Sequence, residues 1–266
     1  MLFPDRVTVI RGGGDLATGV AYQLHRAGFP VIVLELEWPL VIRRKAAFAA
    51  AVFEDTVTVD GVVARTVESA EQALSASRTG DVPVFVSSGV PDFGEPISIL
   101  VDARMAKRNL DTALDQAPLV IGLGPGFHAG VDCHSVIETM RGHRLGRVLW
   151  SGQAAADTGV PGELAGATSD RVVRASTAGV VAWSAVIGDI VEAGAVLGAV
   201  GDKAVPAPIS GVVRGLIAPG TQAPAGMKIA DIDPRADPSA CFEISDKARL
   251  VGAGALEAAL TWLNTE

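Results

Sequence analysis

The 266-residue chain is 49% hydrophobic and 20% charged, which suits a compact fold and excludes extended disorder. A formal net charge of −8 and only 5% aromatic residues give no basic, base-stacking surface, so neither nucleic acid nor an anionic membrane is an expected partner. Cys133 and Cys241 make no disulfide framework, no apolar run approaches a membrane span, and "MLFPDRVTVI" is not built like a signal peptide, so the expected setting is the reducing cytoplasm.

In chain order, short apolar runs at 7–10, 31–34, 84–87, 97–102, 118–123 and 147–150 predict buried strands. Helices are predicted at 16–27, 67–78, 105–114 and 132–141. Apolar strands alternating with helical patterns predict an α/β domain over 1–165, with a Rossmann-like parallel sheet covered on both faces.

The first strand leads into "RGGGDLATG", where Gly12, Gly13 and Gly14 precede a helix holding Asp15 and Thr18. Backbone N–H groups in such a turn can face an anion, with the helix dipole adding to the attraction. The spacing of Gly12, Gly14 and Gly19 is G-x-G-x-x-x-x-G, not the G-x-G-x-x-G dinucleotide fingerprint. Glu35 lies about twenty residues further on, where a carboxylate could take a ribose hydroxyl. Asp15 would repel a pyrophosphate unless it turned away or capped the helix. The alternative is a turn that only packs strand to helix.

Arg43, Arg44 and Lys45 follow Pro39 and could clamp a phosphate or form a solvated turn. Asp102 ends a predicted strand, and Lys107, Arg108 and Asn109 fall in the first turns of the next predicted helix, either as part of a polar site or as an exposed face. A second glycine loop, "VIGLGPGFHAGVDCHSVIETMRGHRLG", carries Gly122, Gly124, Gly126 and Gly130, with Pro125 stiffening it and His128 near the next helix start. Two strand–glycine loop–helix units converging at one sheet edge suggest a large anionic ligand. His128, His134 and His143 are spaced by six and nine residues, which fits no helical zinc motif, so no protein-bound metal is expected. Cys133, between Asp132 and His134 at a predicted helix start, is either an activated thiolate or an inert core thiol. No catalytic residue stands out: there is no G-x-S-x-G elbow and no Walker lysine.

The texture changes near 151, where a Gly/Ala/Pro/Thr-rich stretch reads as a linker. Beyond it, residues 179–200 align without a gap on 211–232: Gly179, Gly188 and Gly194 fall on Gly211, Gly220 and Gly226, an offset of 32 each time. Two such strand–turn–strand units should interlock into a flattened barrel over 166–236. The pattern resembles the biotinyl/lipoyl-type domain, or barrel-sandwich hybrid. Lys203 at the junction lacks methionine neighbours, so a swinging cofactor arm is not expected. The remaining 237–266 reads as a helical tail with Ser245 as N-cap, and Gly252 and Gly254 mark close packing.

Taken in order, "IRGGGDLATGVA", "VIRR", "VDARMAKRN", the long second glycine block, "DTGVPG", "PISGVVRGLIAPG" and "ISDKARLVGAGALEA" resemble the YqeB-type proteins associated with selenium-dependent molybdenum hydroxylase systems. That family is itself similar to the XdhC-type accessory proteins. The resemblance implies a maturation factor that binds molybdenum cofactor, or a nucleotide-bearing form of it, as cargo. It would assist sulfuration, selenation or insertion, with an apo molybdenum hydroxylase as client, a sulfur or selenium donor enzyme as a further partner, and a homodimer as the expected assembly. The residues leave two other readings open: an NAD(P)-binding oxidoreductase using Glu35, and a scaffold in which both glycine loops are structural.

Overall fold

The computed structural model describes residues 1–157, 159 and 169–265. The motif "DTGVPG" and the expected 165/166 boundary lie partly or wholly outside them. The chain is mixed α/β and divides into two units: Met1–Glu37, Ala47–Asp157 and Ile244–Glu266 form the first, and Trp38–Ala46 with Thr158–Glu243 the second. The first unit thus takes the C-terminal tail, and the Arg43–Arg44 segment goes to the second.

The first unit is built on β1 (Thr8–Arg11), β2 (Val31–Glu35), β3 (Thr56–Val59), β4 (Val62–Val67), β5 (Val82–Val86), β6 (Ile99–Asp102), β7 (Leu119–Leu123), β9 (Ser135–Ile137) and β10 (Val148–Leu149), with β8 (His128–Ala129) and β11 (Gly152–Gln153) as a separate pair. The nine-stranded sheet runs β10-β9-β7-β6-β1-β2-β5-β4-β3. All its pairings are parallel except the two outermost, β9–β10 and β3–β4. Side chains alternate across it as strand geometry requires. Ile10, Val33, Val101 and Ile121 enter one buried cluster, and Val9, Ile32, Leu100 and Val120 the other.

The first of these faces is covered by α1 (Asp15–Arg26) and by a helix from the end of the chain, α4 (Asp246–Leu263); α2 (Ala51–Glu54) is a single turn, and α3 (Ala70–Ser77) lies on the second face. The Ser245 hydroxyl accepts the Ala248 N–H at 3.2 Å, a cap worth about 1 kcal/mol. The reason for glycine within α4 is contact. A Cβ on Gly252 would strike the Gly19 carbonyl, one on Gly19 the Ala248 carbonyl, and one on Gly254 the Gly146 carbonyl.

Two of the predicted helices are absent. Residues 105–114 form an irregular loop in which Met105 and Lys107 have positive φ. Here Asn109 takes the Thr112 N–H and donates to its carbonyl, so a local side-chain bond competes with the helical ladder. Residues 132–141 give β9 and a turn, because Val136 and Ile137 are buried on opposite faces of the sheet. The hairpin β3–β4 was not among the predicted strands. Its signal is Asp60-Gly61 between alternating apolar residues, both with positive φ (48° and 76°) as a tight hairpin turn demands.

The second unit holds two four-stranded antiparallel sheets. Its strands are β12 (Val172–Arg174), β13 (Gly179–Trp183), β14 (Ile190–Val191), β15 (Val196–Val200), β16 (Lys203–Pro206), β17 (Gly211–Leu216), β18 (Gln222–Ala223) and β19 (Lys228–Asp233), ordered β12-β19-β17-β14 and β16-β15-β13-β18. The repeat in sequence is a repeat in structure: β13, β14 and β15 correspond to β17, β18 and β19. Each repeat gives its short middle strand to the other, β14 pairing with β17 and β18 with β13. One shared core results, containing Val181, Leu197, Val213 and Ile229. No helix of the described residues is long and apolar enough to cross a membrane.

Candidate functional site

In an open α/β sheet, ligands bind beyond the carboxyl ends of the strands where the strand order reverses. Here that point is β1, with β2 on one side and β6 on the other. The carboxyl ends of β1, β2, β6 and β7 bring Gly12–Gly14, Glu35, Asp102 and Gly122–Gly126 to one edge of the first unit.

The three glycines of the first loop are not equivalent. Gly12 has φ +95°, and a Cβ on it would lie 3.1 Å from the Ala103 carbonyl oxygen. One on Gly13 would lie 2.9 Å from the Ala49 backbone nitrogen. Gly14 differs. Its conformation (φ −65°, ψ −178°) suits any residue, no side chain caps the helix there, and a Cβ would meet nothing within 4 Å. Behind the loop, Thr18 Oγ1 donates to the Gly14 carbonyl at 2.9 Å and accepts the Phe48 N–H at 2.9 Å, fixing the turn from the core side. Asp15 begins α1 on the side of its positive dipole end.

Glu35 is turned onto the protein itself. Its two carboxylate oxygens accept the Gly13 N–H at 2.7 Å and the Leu36 N–H at 2.8 Å. A loop amide that could face an anionic ligand therefore faces a resident carboxylate.

Beyond β6 lies a closed charge network. Buried Asp102 accepts from the Arg104 guanidinium (Nη2 at 2.5 Å), the Arg104 N–H and the Thr112 hydroxyl (2.6 Å). Asp111 joins the buried Arg11 guanidinium at 2.7 Å to Arg104 at 2.5 Å. Hydrogen bonds from Arg11 and then Arg104 hold the Asp111 carboxyl down at about 2. Positive φ at Met105 (55°) and Lys107 (61°) shows that this loop is held by its contacts against local preference. Lys107 reaches Asp157 at 2.6 Å, and the Asn109 N–H donates to the Gly126 carbonyl at 3.0 Å.

In the second glycine loop, protein fills the space beside three of the four glycines, and only Gly130, in the exposed turn after β8, has nothing within 4 Å of a Cβ. A Cβ on Gly122 would lie 2.5 Å from the Phe127 ring, one on Gly124 would strike the Thr139 hydroxyl, and one on Gly126 would lie 2.5 Å from the Arg108 backbone. Pro125, between the last two, is partly exposed. The His128 N–H donates to Asp132 at 2.8 Å. His134 Nδ1 accepts the Val120 N–H at 2.9 Å, and burial lowers its pKa, which keeps it neutral. Without a helix start at 132, Cys133 loses the dipole that would have activated it. It is fully buried, and burial pushes its thiol up to about 12.

Arg43 and Arg44 belong to the second unit, where Arg43 bonds Asp231 at 3.2 Å and Arg44 Nε donates to the Leu216 carbonyl at 2.8 Å. Among the described residues, no group of three or more His, Cys, Asp or Glu gathers as metal ligands.

The chain is 48% identical over 255 residues to "Uncharacterized protein YqeB" of Escherichia coli (strain K12), a match that covers 95% of this chain and 47% of that protein. The chain spans about half the length of this curated relative. No family model and no solved structure matches the chain.

Proposed function

We propose that this protein is an accessory factor that carries molybdenum cofactor, or a nucleotide-bearing form of it, for a molybdenum hydroxylase of the xanthine dehydrogenase type. The observation that carries the reading is the switch point at β1, where Gly14, unlike Gly12 and Gly13 of the same loop, opens onto free space at the start of α1. A phosphate of the cargo would lie against the backbone at Gly14 and the first turn of α1, with the helix dipole favouring its charge. Glu35 and Asp102, both already bonded within the protein, would shape the site rather than touch the cargo. The similarity to YqeB supports the same reading through the resemblance of that family to accessory proteins of molybdenum hydroxylases.

In this reading the second unit is a barrel-sandwich hybrid, which the exchange of β14 and β18 between repeats supports, and it serves as a docking module. The client is an apo-hydroxylase, a sulfur or selenium donor is a further partner, and the working assembly is a homodimer. The test is anaerobic native mass spectrometry of the full chain with added molybdenum cofactor. A one-to-one adduct is expected. Failure to form it, or retention of NAD in its place, would overturn the proposal.

A further inference from the structure

The two repeats of the second unit form an internal control. Subtracting the offset of 32 places Arg214 on Ala182, Asp231 on Ala199 and Asp233 on Gly201. The first repeat builds the same strands with small, uncharged residues, so the architecture does not require the charges. Yet in the second repeat these charges are buried: Arg214 is 4% exposed, Asp231 0% and Asp233 2%. Buried ion pairs are poor stability devices, since desolvation offsets their attraction.

Asp231 and Asp233 lie two residues apart on β19, hence on one face. Around them gather five basic side chains. Arg171 (2.5 Å), Arg43 (3.2 Å) and Lys228 (3.8 Å) reach Asp231, and Arg235 (2.7 Å) and Arg214 (3.0 Å) reach Asp233. Arg214 sits where the β17–β19 register shifts between Val213 and Gly215, a bulge that re-aims a side chain. Its Nη1 holds Asp233, but its Nε–H, on the same rigid plane, meets no acceptor. A buried guanidinium N–H left unmet carries a desolvation cost that a bound anion would remove. Burial, and after it the neighbouring Arg43, push the Arg214 pKa down against the opposing pull of Asp233 and Asp231. The cluster opens to solvent at Arg235 and Lys228, whose side chains are 45% and 35% exposed.

We infer that this cluster is an oxyanion site taking a phosphate group, free or as a monoester, with Arg214 Nε as its inner donor and Arg43 and Arg235 closing on it. The site lies within the second unit and stands whether or not the first unit carries molybdenum cofactor. The test is phosphorus NMR titration of the full chain with inorganic phosphate, and in parallel with glycerol 3-phosphate, at constant ionic strength set by chloride. Saturable broadening is expected, weakened at least ten-fold, on the order expected for one lost charged hydrogen bond, in Arg235→Gln and in Arg43→Gln. It should be unchanged in Arg65→Gln, which loses exposed contacts with Asp81 and Thr56 in the first unit. Preference for the monoester would assign the site to a phosphorylated ligand, and equal binding to free phosphate. Absence of broadening, equal binding in Arg235→Gln and Arg43→Gln, or equal loss in Arg65→Gln would overturn the inference. Circular dichroism on each variant separates lost binding from lost folding.

Discussion

The two glycine loops of the first unit look alike in sequence and differ in what their glycines are for. Each follows a central strand of one parallel sheet, and each ends at the same edge. In the second, the space beside Gly122, Gly124 and Gly126 is occupied by Phe127, Thr139 and the Arg108 backbone. In the first, Gly12 and Gly13 are packed in the same way, but Gly14 faces nothing. Glycine reports that something approaches the backbone closely. Whether the approaching group is protein or ligand depends on the direction in which the missing Cβ would point. By that measure the second loop is a packing device at Gly122, Gly124 and Gly126, with Gly130 open in the exposed turn after β8, and the first combines packing with one open position at the start of a helix.

Substitution should separate the two. The largest effect is expected for Gly124→Val, which sets a β-branched residue at φ +72° against the Thr139 hydroxyl. The conformational cost and the overpacking together amount to about 3 kcal/mol or more. Chemical denaturation should show this as a lower midpoint, and an unchanged midpoint would break the distinction between the loops.

A smaller effect is expected in the loop between them. Asp111, held at about 2 by Arg11 and Arg104, has a folded-state pKa below its ordinary value of 3.8. Its contribution to stability is present above 3.8 and lost as pH falls through about 2. The stability gap between the wild type and Asp111→Asn should therefore be constant near neutrality and close across that window in an acid titration. A gap independent of pH would show that the ion pairs of Asp111 do not hold the loop. Because the Asp111 side chain is 54% exposed, solvent screening keeps the gap small.

The smallest stability effect is expected for Gly14→Asp. The backbone there suits any residue, the side chain has room, and aspartate is a better N-cap than glycine by a few tenths of a kcal/mol. Thermal unfolding should leave the melting temperature equal or slightly raised.

The central strands were legible because apolar runs such as 31–34 and 119–123 are buried on both faces and carry no helical period. The repeat was legible because Gly188, Gly194, Gly220 and Gly226 each hold a positive φ that only glycine adopts readily, which keeps the register visible. The loop at 103–112 was not legible. Its helical composition is overridden by the Asn109–Thr112 bonds and by the Asp102–Arg104–Asp111 network, whose members meet only after β1 and β6 pair. Glu35 was legible as a strand-end carboxylate, but its use as the acceptor for Gly13 depends on the turn folding back. Arg43 and Arg44 read as part of a glycine-loop site because they follow it in sequence, and their partners Asp231 and Leu216 lie far along the chain.

The most direct test of the account is to add molybdenum cofactor to the wild type and to Gly14→Asp under anaerobic conditions and compare adduct formation by native mass spectrometry. A carboxylate placed about 4 Å from a bound phosphate at intermediate dielectric should weaken the complex at least ten-fold. The account predicts an adduct in the wild type and its loss in Gly14→Asp at an unchanged melting temperature. Equal adducts in both proteins would contradict it.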